Sequence, residues 1–173
     1  MREAIETALR PLVGLQLSIL QYAGNMRIFQ FGETTSTARG TVGKYALHVQ
    51  CPWRIQQADK IITASGDWYQ RADGNEADLD SWDPGRGGSV QELRLRALLN
   101  CPADESRSLV NTTGNYFVTE VAADDLGGCQ ITFSGDLLLV LFPCGSTGEA
   151  WRLIRPGDLN SHFVVRAEGI ETV

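Results

Sequence analysis

A mostly antiparallel β fold of the α+β class is what this sequence predicts: two related β-meander halves, one central helix and a short N-terminal helix. Three observations carry that expectation. Apolar residues alternate with a period of two in one segment after another. Gly-Asn and Gly-Asp pairs separate consecutive segments as hairpin turns do. A Ser-x-x-Glu capping signature opens the interior stretch "SVQELRLRALLN". The 173 residues suit one domain, with pseudo-repeats over about 12–70 and 115–167 joined by an acidic loop and the central helix.

The elements follow in order. "REAIETALR" predicts a short helix with Ile5 and Leu9 on one face, ended by Pro11. "LQLSILQY" alternates at Leu15, Leu17 and Ile19, and "AGN" turns it into "MRIFQF". There Met26 and Ile28 share one side, and Phe29 and Phe31 lie on the other. "GETTSTARGTVG" reads as a polar loop. "KYALHVQ" is a third strand with Tyr45, Leu47 and Val49 toward the core and His48 away from it. Pro52 takes Trp53 out of regular pairing or onto a sheet edge. "KIITASGDWYQ" is a short strand running into a turn at Gly66-Asp67. The central helix, Val90 to Leu99, is capped by Ser89 and Glu92, carries a stripe of Val90, Leu93, Ala97 and Leu98, and closes at Asn100 and Pro102. Strands then return at "NYFVTEV", "CQITF", "LLLVLF", "EAWRLI" and "HFVVRA".

The two halves echo each other. "VGLQLSILQYAGNMRIFQFG" and "GGCQITFSGDLLLVLFPCG" share the order Gly, strand, Gly turn, strand, Phe, Gly, and a strand bearing Trp-Arg follows each, at Trp53-Arg54 and Trp151-Arg152. Two such units would bury their apolar faces against one another.

Composition narrows the function. The formal net charge of −6 argues against general nucleic-acid binding, which needs a basic footprint. The N-terminus lacks the basic start and unbroken apolar core of a secretory signal, and no run approaches a membrane span, so a cytoplasmic protein is expected. Cys51, Cys101, Cys129 and Cys144 show no CxxC spacing; reduced thiols and no metal or cofactor are expected.

Charge is concentrated in the middle. Residues 1–72 hold eight bases and five acids, 73–83 five acids and no base, and 84–173 seven bases and eleven acids. The acids of the central segment are Asp73, Glu76, Asp78, Asp80 and Asp83, flanked by Trp68, Tyr69 and Trp82. Aromatic anchors beside carboxylates suit a protein interface, because aromatics supply buried contact and charge speeds encounter. These eight residues form the expected partner-binding surface. A first alternative is anion or small-molecule binding by "PGRGGS", through Arg86, Gly87, Gly88 and Ser89 at a helix start, although the lysine of a Walker loop is missing. A second is a hydrolase using His48 and Cys51, three residues apart.

"GCQITFSGDLLLVLF" followed by "EAWRLI", Gly128 to Ile154, resembles the closing segment of small bacterial proteins of the toxin-immunity type, and "YALHVQCPWRI" resembles a segment of similar proteins. "CGSTG" before Glu149 departs from that pattern by its length. The resemblance implies a non-enzymatic bacterial protein that binds a partner. Joined to the acidic segment, it makes neutralisation of a basic toxin the expected role.

Overall fold

The computed structural model describes residues 1–38, 40–76, 81–84, 88–102, 107–158 and 162–172. Helix α1, Arg2–Leu9, buries Ile5 and Leu9, and a single 3-10 turn at Arg10–Leu12 holds Pro11. A five-strand run follows: β1 (Leu17–Ala23), β2 (Met26–Thr37), β3 (Gly40–Val49), β4 (Trp53–Gln57) and β5 (Lys60–Ala64). A 3-10 turn, Ser65–Tyr69, leads toward α2, Val90–Leu99. The remainder is β6 (Leu109–Val110), β7 (Val118–Ala123), β8 (Cys129–Phe133), β9 (Leu137–Leu141), β10 (Glu149–Ile154), β11 (His162–Arg166) and β12 (Gly169–Thr172). The structure is mostly antiparallel β, with two sheets and two α-helices.

One sheet has seven strands in the order β12-β11-β10-β3-β2-β1-β6, and the other five in the order β5-β4-β9-β8-β7. Among the described strands the chain changes sheet four times, between β3 and β4, β5 and β6, β6 and β7, and β9 and β10. The first and last of these crossings lie side by side. Cys51 N donates to Ala150 O at 2.9 Å, and Phe142 N donates to Pro52 O at 3.0 Å. Pro52 therefore marks a change of sheet. It does not put β4 at an edge, as the sequence predicts: β4 lies between β5 and β9, and Trp53 is buried.

Apolar side chains of the two inner faces meet between the sheets. Phe29 of β2 stands edge-on to Trp53 of β4 at 5.3 Å, and Phe31 stacks on Phe133 of β8 at 6.3 Å. Such offset and T-shaped contacts are the favoured aromatic geometries. Trp151 is fully buried and donates from Nε1 to Gly127 O at 2.8 Å. Gly127 has φ +90°, and a Cβ there would lie 2.9 Å from Val165, so the chain comes this close to β11 only as glycine.

Two further expectations need correction. The polar segment 32–43 is not a loop. Thr34 pairs with Gly43, Thr35 with Val42, Ser36 with Thr41 and Thr37 with Gly40, so β2 and β3 run on as a long hairpin beyond a register shift near Gly32. Its threonines favour extended backbone, and its side chains are mostly exposed, which hides the alternation. In α2 the buried positions are Gln91, Glu92, Leu95 and Leu99, whereas Leu93 and Ala97 face outward. The short strands β6 and β12 carry too few residues to show a period. Among the described residues no helix is long and apolar enough to cross a membrane.

The inter-sheet aromatics set the stability. Phe29→Ala should lower the unfolding free energy by about 3–5 kcal/mol in denaturant titration. Leu126→Ala, at a position 82% exposed, should change it by less than about 0.5 kcal/mol.

Candidate functional site

Strand parity puts Arg27 on the same face of β2 as Phe29 and Phe31, the face that looks into the sandwich. A guanidinium buried at 1% exposure needs compensation. It comes from the first turn of α2: Nη2 lies 2.6 Å from Glu92 Oε1 and also donates to Gln91 Oε1. Gln91 in turn donates from Nε2 to Ala64 O at 2.9 Å, tying α2 to the end of β5. Aromatic faces complete the surroundings, with Arg27 Cζ 5.4 Å from the ring of Trp68 and 5.6 Å from that of Tyr22. Burial pulls the Arg27 pKa down, and the charge and hydrogen bond of Glu92 push it back up. Nη1 has no hydrogen-bond partner among the described residues.

This cluster explains the helix face. Ser89 caps α2 by accepting from Glu92 N at 3.1 Å. The Glu92 carboxylate goes to Arg27 rather than back to the cap, so only half of the predicted capping box forms. Turning Glu92 inward rotates Leu95 and Leu99 into the core and leaves Leu93 59% exposed.

The segment before α2 is pinned at both ends. In the turn 65–69, Asp67 Oδ2 accepts from Thr63 Oγ1 at 2.9 Å, from Ala64 N at 3.2 Å and from Arg94 Nη1 at 3.2 Å. Further on, Ala72 N donates to Gly88 O at 2.6 Å and Val90 N to Gln70 O at 2.8 Å. Arg71 and Ser89 form a single β-bridge there. The acidic segment thus leaves and re-enters at a closed base. Within it, Asp73 accepts from Arg71 Nε at 3.0 Å and from Asn75 N at 3.0 Å, and hydrogen bonds from Arg71 hold its carboxyl well below the usual range. The Arg71 guanidinium lies 5.5 Å from the ring of Trp82, which is half-buried.

The predicted partner-binding residues therefore have different places. Tyr69, Asp73, Glu76 and Asp83 are exposed. Trp82 is partly covered. Trp68 is buried, at 7% exposure, on Tyr22 and Arg27; it supports the surface from beneath and is not an exposed anchor. Asp78 and Asp80 lie outside the described residues, as do Arg86 and Gly87 of the predicted anion loop. Of that loop, Ser89 is fully buried and its hydroxyl oxygen serves as the helix cap, while Gly88 contributes the loop-closing carbonyl. Missed from sequence are Arg27, Glu92 and Arg71. A signal exists for the first: in "MRIFQF" a charge shares the parity of two phenylalanines.

His48 and Cys51 do not form a nucleophilic pair. His48 is half-buried on the outer face of the seven-stranded sheet, opposite Arg152 and Ile28. Burial, and then the charge of Arg152, lower its pKa. Glu149 accepts from Arg152 Nε at 2.6 Å and from Gln50 Nε2 at 2.9 Å. Cys51 lies at the crossing, against a cavity of about 230 Å³ that Cys144 also lines and His48 does not. Burial pushes the Cys51 thiol up to about 12, so its thiolate fraction at pH 7 is ~10⁻⁵. A thiol held in this way is a weak nucleophile at neutral pH, and this placement gives the hydrolase reading no support.

Comparison with protein-family models, with curated proteins and with solved structures finds no match.

Because the folded-state pKa of Cys51 lies above the value of 9.0 for a free thiol, its contribution to stability is complete below pH 9 and is lost as pH rises toward 12. Chemical denaturation of wild type and Cys51→Ala over pH 8–11 should show the wild type losing stability faster above pH 9. The extra slope should approach about 1.4 kcal/mol per pH unit.

Proposed function

We propose that the protein is a non-enzymatic, cytoplasmic protein-binding module whose partner presents a basic surface, and that it neutralises a basic toxin of the kind implied by its resemblance to immunity-type proteins. The observation that carries this reading is the placement of three exposed apolar side chains. Ile61 of β5, Tyr69 of the 65–69 turn and Leu93 of α2 are 58%, 47% and 59% exposed. The elements that bear them pack on one another. The acidic segment 73–83 springs from the same turn and closes onto the same helix.

Apolar and aromatic side chains on rigid supports, next to carboxylates, match the division of labour at interfaces: the former lose water on docking, the latter steer a cationic partner. The Arg27–Glu92 cluster keeps the support rigid, so little ordering opposes binding. Free cysteines among the described residues agree with a reducing compartment. We also read the two halves as related. Each runs as a three-strand meander, β1–β3 or β7–β9, and then enters the other sheet with a Trp-Arg strand, β4 or β10.

Reversal to lysine of Asp73, Glu76, Asp78, Asp80 and Asp83 tests the reading. Affinity capture from the source cells should retain a basic protein on wild type and not on the reversed variant. Titration of that purified partner should show association slowing as salt rises, and Tyr69→Ala or Leu93→Ala should weaken binding about tenfold or more. Equal affinity of wild type and the reversed variant for the same partner would remove the acidic segment from the interface.

A further inference from the structure

Two more strands in one sheet than in the other leave inner-face surface that the smaller sheet does not reach. Helix α1, which packs on β7, faces part of it. Between α1 and the ends of β3, β10, β11 and β12 there remains a cavity of about 360 Å³, within the range of small-ligand sites. Its apolar side is made by Tyr45, Leu153 and Phe163, and Ala8 and Pro11 approach from the helical segment. These are core-type side chains that face an open space instead of a packed neighbour.

One full charge faces that space. Arg155 directly follows β10, on the parity of Leu153, and its Cζ stands 5.2 Å from the centroid of the Tyr45 ring. Arg155 is exposed and makes no ion pair among the described residues, in contrast to Arg27, Arg152 and Arg166. No described acidic side chain lines the cavity, and the hydroxyl-bearing Thr7 and Thr172 do. His162 lines it too, but strand alternation turns its ring to the outer face, with His48.

We propose that this cavity binds a small monocarboxylate with an aromatic or aliphatic body. The body lies on Tyr45, Leu153 and Phe163, and the carboxylate meets the Arg155 guanidinium at the mouth. A guanidinium pre-positioned on a ring face at the rim of an apolar recess is suited to an organic acid: the fork pairs with the carboxylate and the recess takes the hydrocarbon. Neither acetate, which lacks the body, nor a neutral alcohol, which lacks the charge, satisfies both halves. The site is remote in sequence from the acidic segment, and the proposal does not depend on the protein-binding reading.

The test uses the full chain and three probes: 3-phenylpropionate, 3-phenylpropan-1-ol and acetate. Titration is followed by amide chemical shifts and by calorimetry. 3-Phenylpropionate should bind saturably, with the largest shifts at Arg155, Phe163 and Thr172. The alcohol and acetate should bind at least about tenfold more weakly, since a charge-assisted pair is missing from one and apolar contact from the other. Arg155→Met, an exposed substitution that should leave the unliganded melting temperature unchanged, should bring 3-phenylpropionate down to the level of the alcohol. Ala8→Phe, which fills the recess, should abolish binding of both. Absence of saturable binding, equal affinity for acid and alcohol, shifts located elsewhere, or unaltered affinity in Arg155→Met would each overturn the proposal.

Discussion

A guanidinium on the core face of β2 has to meet a carboxylate, and α2 exists in its observed orientation because it delivers one. Arg27 is as buried as the phenylalanines beside it, and Glu92 is its ion-pair partner. Removing one member of such a pair typically costs about 3–5 kcal/mol, because the other charge is left without compensation in a poor solvent. From that requirement follow the inward turn of Glu92, the burial of Leu95 and Leu99, and the exposure of Leu93. The position of the helix start then fixes the base of the acidic segment through Gln70, Ala72, Gly88 and Val90. One electrostatic demand in the interior thus organises the surface above it.

A second constraint acts where the chain changes sheet, just past Val49, the strand partner of Arg27. Of the chain's crossings between the two sheets, those from β3 to β4 and from β9 to β10 are hydrogen-bonded to each other. Cys51 lies in one and Cys144 after β9 in the other, so the thiols gather there for topological reasons, not chemical ones. Unequal sheet widths do the rest: the smaller sheet and α1 together cover most of the larger one and leave the recess below Arg155.

Much of this was legible in the sequence where the signal is local. The alternation of Tyr45, Leu47 and Val49 against His48, the Gly24-Asn25 and Gly135-Asp136 turns, and the Ser89 cap all correspond to observed features. What was not legible depends on partners distant in the chain. Nothing near Arg27 in sequence reveals that Glu92, sixty-five residues on, neutralises it. An apolar stripe on α2 cannot be read while its most deeply committed residue is a glutamate. Trp68 looks like an interface anchor until Tyr22, from the opposite end of the first half, covers it. The extended hairpin past Gly32 is polar because much of it faces water, and polarity alone does not separate such a strand pair from a loop.

The central claim is that the Arg27–Glu92 pair holds α2 and the base of the acidic segment on the sheet. Native-state hydrogen exchange on wild type and Glu92→Gln, which keeps the shape of the side chain and removes its charge, addresses it most directly. The account predicts that protection of the Ala72, Val90 and Leu93 amides collapses in the variant while that of the β8 and β9 amides falls much less. Equal loss across all of these amides, or unchanged protection at Ala72 and Val90, would contradict it.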